Sequence, residues 1–186
     1  MLKAFLRFLG AVDGEDSQMW FLLGIGAFMG FFLATYQVGS ESLFIQTLGE
    51  KYLAESFFVT GALGVLTSVT YVYIQKKVRF SRLVIGNAAV ITLIVCGLRL
   101  AFEFVEVGDK ESGFSLLPFL LFVMMGPITS ILLLGFWGLF GRIFDTRQTK
   151  RLIGSVDTGQ LIATIIAFFS IPLLIELPFI DDTYDL

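Results

Sequence analysis

Histidine is absent from the 186-residue chain, and cysteine occurs once, at Cys96. Without an imidazole there is no Ser-His-Asp triad, no Cys-His nucleophile, no His-ligated haem and almost no zinc chemistry, because each needs that ring as base or ligand. A lone cysteine forms neither an intrachain disulfide nor a thiolate metal cage. Charged residues make up only 16% of the chain, against about a quarter in soluble domains. The net charge of −3 offers nothing to nucleic acid. No GxxxxGK[ST] loop is present, so nucleotide hydrolysis by phosphate cradling is excluded. What the chain does contain is 56% hydrophobic residues with 21 Phe and 19 Gly, at a mean hydropathy of +0.84. That is the composition of a membrane protein, with aromatic surface for lipid and small residues for close helix approach.

Charge-free runs set the organisation. Residues 18–40 carry no charge and, at about 1.5 Å per residue, exceed the roughly 30 Å of bilayer hydrocarbon. This first span is expected to continue past Glu41 to about Leu48. A second span is expected over 52–75, a third over 82–105, a fourth within the uncharged stretch 112–141, and a fifth over 151–176, interrupted only by Asp157. Pro118 falls in the first turn of span four. Gly126-Pro127 falls mid-membrane, where the missing amide hydrogen and the ring clash should kink the helix. Residues 1–18 place Leu2, Phe5, Leu6 and Leu9 at helical spacing beside Lys3 and Arg7, and are read as an interfacial amphipathic helix facing phosphate headgroups. A secretory signal is the competing reading, but Ala11-Val12-Asp13-Gly14 is followed at once by acids and a full span, which argues against cleavage. The core is then 19–176, followed by an acidic tail over 177–186 with Asp181, Asp182 and Asp185. No strand pattern or heptad occurs, so the fold class is all-α: a polytopic transmembrane bundle of about five spans plus the N-terminal interfacial helix.

Basic residues give the orientation. With the N-terminus cytoplasmic, that side receives Lys3, Arg7, Lys76, Lys77, Arg79, Arg82, Arg142, Arg147, Lys150 and Arg151, and the other side only Lys51 and Lys110. Ten against two is a strong positive-inside bias, as for a bacterial inner (cytoplasmic) membrane protein. Five spans put the C-terminus outside, whereas six would complete half a transporter. A fragment of a longer chain, or a bundle completed by another polypeptide's helices, is therefore expected.

Charges within spans are expensive, at least ~2.5 kcal/mol each at the bilayer centre, so each needs a partner or a purpose. Arg99 reads as a snorkelling residue with an i, i+4 contact to Glu103, or as a cavity cation for an anionic ligand. Asp157, with Gln160 one turn on, could take a proton, pair with a cation, or latch structurally onto Lys150 or Arg151. Thr35, Tyr36, Gln37, Ser40 and Glu41 form a polar cluster on span one that lipid would not tolerate. It should point into the bundle, lining a pathway or hydrogen-bonding to neighbouring helices. Asn87, Thr129 and Ser130 are weaker versions of the same choice. Gly26 and Gly30 have GxxxG spacing, and Gly135, Gly138 and Gly141 recur every three residues; both are helix-packing devices.

The run 136–154, from Phe136-Trp137-Gly138 through Arg142 and Asp145 to Lys150-Arg151-Leu152-Ile153-Gly154, is similar to the helix 4 to helix 5 junction of the nucleotide (ATP/ADP) translocase branch of the major facilitator superfamily. Residues 34–46 and the segment from Tyr52 resemble that branch's opening. The resemblance implies an N-terminal half of a facilitator-type fold, with helices one, four and five contributing to a central cavity. Where the nucleotide carriers have basic residues in the outer half of the first helix, this chain has Gln37 and Ser40, both neutral. The resemblance therefore speaks for the fold more than for a polyphosphate substrate. The reading is a transporter-like membrane module with Gln37, Glu41, Arg99, Asp157 and Gln160 as substrate-site candidates. The alternative is a non-transporting scaffold or accessory subunit anchoring a larger complex. No nucleophile–base pair is visible, so an enzyme is not expected. No cofactor or metal is expected; the partners are the lipid bilayer and further transmembrane helices, with no nucleic acid.

Overall fold

A computed structural model describes residues 14–104 and 116–175, together with Arg7 and Val12. The helices are α1 (Asp16–Leu48), α2 (Leu53–Gln75), α3 (Phe80–Phe104), α4 (Leu116–Val123), α5 (Met125–Ile143) and α6 (Thr146–Ile175), with a 3-10 turn at Glu50–Tyr52 before α2. No strand occurs among the described residues. Among the described residues, five segments are long and apolar enough to cross a membrane: Asp16–Leu48, Glu50–Gln75, Phe80–Phe102, Leu116–Ile143 and Thr146–Ile171. The all-α architecture with five membrane-length helices read from the charge-free runs is the one found among the described residues, and it makes this an integral membrane protein. The interfacial helix expected over 1–18 and the acidic tail at 177–186 lie outside the described residues, Arg7, Val12 and 14–18 excepted.

Local chemistry explains the boundaries. Gly49 ends α1 in the left-handed region at φ 71°, and its N–H donates to the Ile45 carbonyl at 3.1 Å, an arrangement a side chain would strain. The Asp145 carboxylate starts α6 by accepting the N–H groups of Arg147 (2.9 Å) and Gln148 (2.8 Å), while the Asp145 N–H donates back to Gln148 Oε1 at 2.9 Å. That reciprocal cap satisfies donors an unaided helix start leaves open. Span four breaks at a single residue, Met124, between α4 and α5. Its N–H still donates to Leu120 O at 2.9 Å and its carbonyl accepts from Ile128 N–H at 3.1 Å. The Val123 carbonyl loses its usual donor, because Pro127 has no N–H. The kink expected at Gly126-Pro127 is thus a short interruption just upstream.

Two compact units divide the chain, Met1–Thr35 with Phe136–Leu174, and Tyr36–Gly135 with Ile175–Leu186. In the first, α1 and α6 run parallel in close contact. A Cβ on Gly26 would lie 3.3 Å from Phe136 Cζ, and one on Gly30 would overlap the Gln160 carbonyl oxygen. The GxxxG pair is therefore a packing device, as its spacing predicts. Phe136 and Phe140 on α5 and Phe144 just after it are buried, with edge-on Phe140–Phe144 rings 5.3 Å apart. In the second unit, α2 lies against α4 and α5. A Cβ on Gly126 would overlap the Thr60 carbonyl oxygen, and one on Gly64 would sit 3.3 Å from Ser130 Oγ. Phe44 and Phe122 are fully buried, their rings 4.7 Å apart. The expectation that Gly135, Gly138 and Gly141 all serve packing needs correcting at Gly141, where nothing lies within 4 Å of an added Cβ. Only 11% of the third span is buried, and Ile85 and Leu93 are each 71% exposed, as on a helix facing lipid.

Candidate functional site

In the first unit, polar groups gather where α1 and α6 begin. Glu15, immediately before α1, is buried and has both carboxylate oxygens occupied. Arg151 Nη2 donates to Oε1 at 2.6 Å and Oε2 at 2.5 Å, Gln148 Nε2 donates to Oε1 at 2.8 Å, and the Val12 N–H donates to Oε2 at 3.0 Å. The Val12 N–H is the main influence holding this carboxyl below its ordinary value of 4.5, against the upward push of burial, and Gln148 and Arg151 add to it. A carboxyl depressed in the folded state adds stability above its unfolded value, and that stability disappears as pH falls through the depressed value. Thermal melts in detergent should accordingly show a loss of stability on the acid side of 4.5 that is smaller in Glu15→Gln. Arg151→Ala should cost about 1–2 kcal/mol at neutral pH, since the guanidinium is partly solvated.

This network corrects the reading of Asp157 as a latch onto Lys150 or Arg151. Arg151 is committed to Glu15, and six residues of helix turn Asp157 about 120° away from it. Lys150, seven residues back, is on the same face but about 10 Å away along the axis. Asp157 is exposed and makes no hydrogen bond or ion pair among the described residues. Gln160 lies where α6 meets α1. Its backbone carbonyl accepts from Thr164 Oγ1 at 3.0 Å, and Thr164 also donates to Gly30 O at 3.3 Å. The side-chain Oε1 of Gln160 is buried without a donor among the described residues.

Of the polar cluster on span one, Tyr36, Gln37, Ser40 and Glu41 lie in the second unit and divide in two. Tyr36 reaches inward, its hydroxyl donating to the Leu121 carbonyl at 2.7 Å, and Ser40 is buried with its hydroxyl on Gln37 O at 3.0 Å. Gln37 is exposed and donates to Glu41 Oε1 at 3.0 Å. The expectation that the whole cluster points inward is therefore corrected at Gln37, which sits on the outer face of α1. Arg99 is exposed near the end of α3, and the Glu103 side chain expected beside it lies outside the described residues. Gln37, Glu41 and Arg99 thus belong to one unit, Asp157 and Gln160 to the other.

Two features escaped the sequence reading. An open groove of about 470 Å³ lies between α2 and α5, with Thr60, Gly64, Ser68, Thr129 and Ser130 along it. Further along α2, Tyr71 is 4% exposed and its hydroxyl has no hydrogen-bond partner among the described residues. Gly135 opens the space beside it, since a Cβ there would lie 3.7 Å from Asn87 Nδ2 and 3.9 Å from the Tyr71 hydroxyl. Nothing in the sequence around Tyr71 separates it from an ordinary interfacial tyrosine. No group of three Cys, Asp or Glu side chains able to hold a metal occurs among the described residues. No family model, curated protein or solved structure matches the chain.

Proposed function

We propose that the chain is a transporter-like membrane module, the N-terminal half of a facilitator-type secondary transporter with its N-terminus in the cytoplasm. The observation that carries this reading is Asp157. It sits six residues past Arg151, the last basic residue of α6, about 9 Å further along the helix axis, exposed and without a partner among the described residues. Lipid does not accept a bare carboxylate at that depth, so the face needs a water-filled path or covering helices. A secondary transporter supplies both, because its substrate route runs between two helical halves. One turn on, the unpartnered Gln160 oxygen is a ready acceptor for a donor the described residues do not supply. The Lys76 to Arg82 turn and the Arg142 to Arg151 region then lie on the cytoplasmic side by the positive-inside rule. The resemblance to nucleotide translocases supports the same fold, while neutral Gln37 and Ser40 argue against a polyphosphate as the favoured cargo.

The scaffold reading rests on a different observation. Gln37 and Glu41 satisfy each other, and Ser40 is spent on its own helix backbone, which is how groups that only stabilise a helix behave. Proteoliposomes probe the transport reading, with labelled ADP exchange against internal ATP as one readout and proton entry followed by a trapped pH dye as the other. Asp157→Asn is expected to reduce whichever flux the unmodified protein supports by at least about tenfold, the usual contribution of a positioned proton carrier being larger still. Arg99→Gln tests the cavity-cation role in parallel. Unchanged flux in both variants would remove these residues from the mechanism, and a Cys96→Ser, Asp157→Cys variant labelled in liposomes by a water-soluble maleimide no faster than a control cysteine at the apolar, exposed Phe169 position would favour the scaffold.

A further inference from the structure

The turn between α2 and α3 carries Lys76, Lys77, Arg79 and Arg82 within seven residues, all four exposed. Lys76, Arg79 and Arg82 make no side-chain hydrogen bond or ion pair among the described residues. Nor does the local sequence neutralise them, for no Asp or Glu occurs anywhere between Glu55 and Glu103. Lys77 lies over the Tyr73 ring, 4.2 Å from its centroid, and donates to the Tyr73 hydroxyl. This pairs a cation with an amphipathic ring of the kind that settles at a membrane–water boundary. The turn is tightly formed, with Lys77 and Val78 N–H groups donating to Ile74 O at 2.9 and 3.0 Å and Leu83 N–H to Arg79 O at 3.1 Å. The cations are therefore presented from a fixed backbone.

We infer that this turn binds the phosphate headgroup of an anionic phospholipid. The position of the charge selects a lipid over a soluble anion. The cations join two membrane-spanning helices, and the side chains between and beside them are apolar and uncovered: Val72 43%, Ile74 39%, Val78 38% and Ile85 71% exposed. A phosphate held by Lys76, Arg79 and Arg82 places its acyl chains along those residues, which a free anion would leave bare. Four basic residues next to a span are enough for such attraction, each strengthening it several-fold near the surface, and arginine adds planar two-point contact with phosphate oxygens.

Native mass spectrometry of the detergent-purified chain, after mixing with equal amounts of phosphatidylglycerol and phosphatidylcholine, tests the inference. Wild-type protein should retain phosphatidylglycerol at least tenfold in excess. The K76Q/K77Q/R79Q/R82Q variant should lose that excess while holding as much phosphatidylcholine as wild type, which also reports that its apolar surface is intact. The pairs K76Q/K77Q and R79Q/R82Q, each expected to lose part of the excess, stand in if the quadruple variant does not fold. Inorganic phosphate at the same phosphorus concentration should leave the retained lipid in place. Equal retention of the two lipids by wild type, an undiminished excess in the variants, or complete displacement by inorganic phosphate would each overturn it. The outcome is independent of whether the protein transports anything.

Discussion

Gly30→Leu is expected to be among the most destabilising single substitutions in this chain, lowering the melting temperature in detergent by roughly 5–10 °C. At Gly30 even the first side-chain carbon would overlap the Gln160 carbonyl oxygen and lie 2.9 Å from Thr164 Oγ1. The main obstacle is backbone, so no rotamer change relieves it, and α1 and α6 must part. Overpacking of this kind costs about 1–3 kcal/mol and more for a bulky side chain, and about 1 kcal/mol moves the midpoint of a chain this size by some 2–4 °C. Gly30→Ala should show a smaller fall, because alanine recovers up to about 1 kcal/mol of helix propensity. Gly24, on the same helix, has nothing within 4 Å of an added Cβ, so Gly24→Ala should be neutral or mildly stabilising. Equal effects at Gly24 and Gly30 would show that helix propensity, and not contact with α6, decides the response.

Gly126→Ala should separate α2 from α5 with a comparable loss of stability. The added Cβ would overlap the Thr60 carbonyl oxygen and stand 3.1 Å from Thr60 Cγ2. Truncating the threonine removes only the lesser contact, so a Thr60→Ala second change should not restore the melting temperature. Gly159 provides the opposite case, for its added Cβ would meet a side-chain tip, Leu23 Cδ2, at 2.7 Å. There the leucine can move, and Leu23→Ala on top of Gly159→Ala should recover part of the loss. In a membrane no hydrophobic force drives helix against helix, so these backbone-close contacts bear more of the folding free energy than they would in water.

These contacts mark the limit of what one sequence conveys. The spans were legible because translocating charge is costly, which leaves charge-free runs about as long as the bilayer is thick, and 18–40 and 112–141 are such runs. Gly26 and Gly30 were legible because GxxxG spacing is itself a statement about one helix face. The Glu15–Arg151 pair was not, since it joins residues 136 positions apart and hydropathy does not say which helices meet. The same holds for Gly126 against Thr60. The division of the cluster at 35–41 into inward Tyr36 and Ser40 and outward Gln37 follows from a 100° turn per residue; the sequence shows polarity there, but only neighbouring helices fix which direction is inside. The functional candidates stay partly legible for the same reason. Asp157 is conspicuous by charge alone, whereas the buried Tyr71 hydroxyl becomes conspicuous only once Gly135 is beside it.

α1 is 33 residues long, about 50 Å from end to end against a hydrocarbon slab of roughly 30 Å. Such a rod must either lean well away from the bilayer normal or project its last turns, with Gln46 and Thr47, into the aqueous phase. Membrane thickness therefore acts on this chain as a mechanical variable: in a thicker, sterol-rich bilayer the rod would stand more upright, and in a thinner one it would tilt or protrude further.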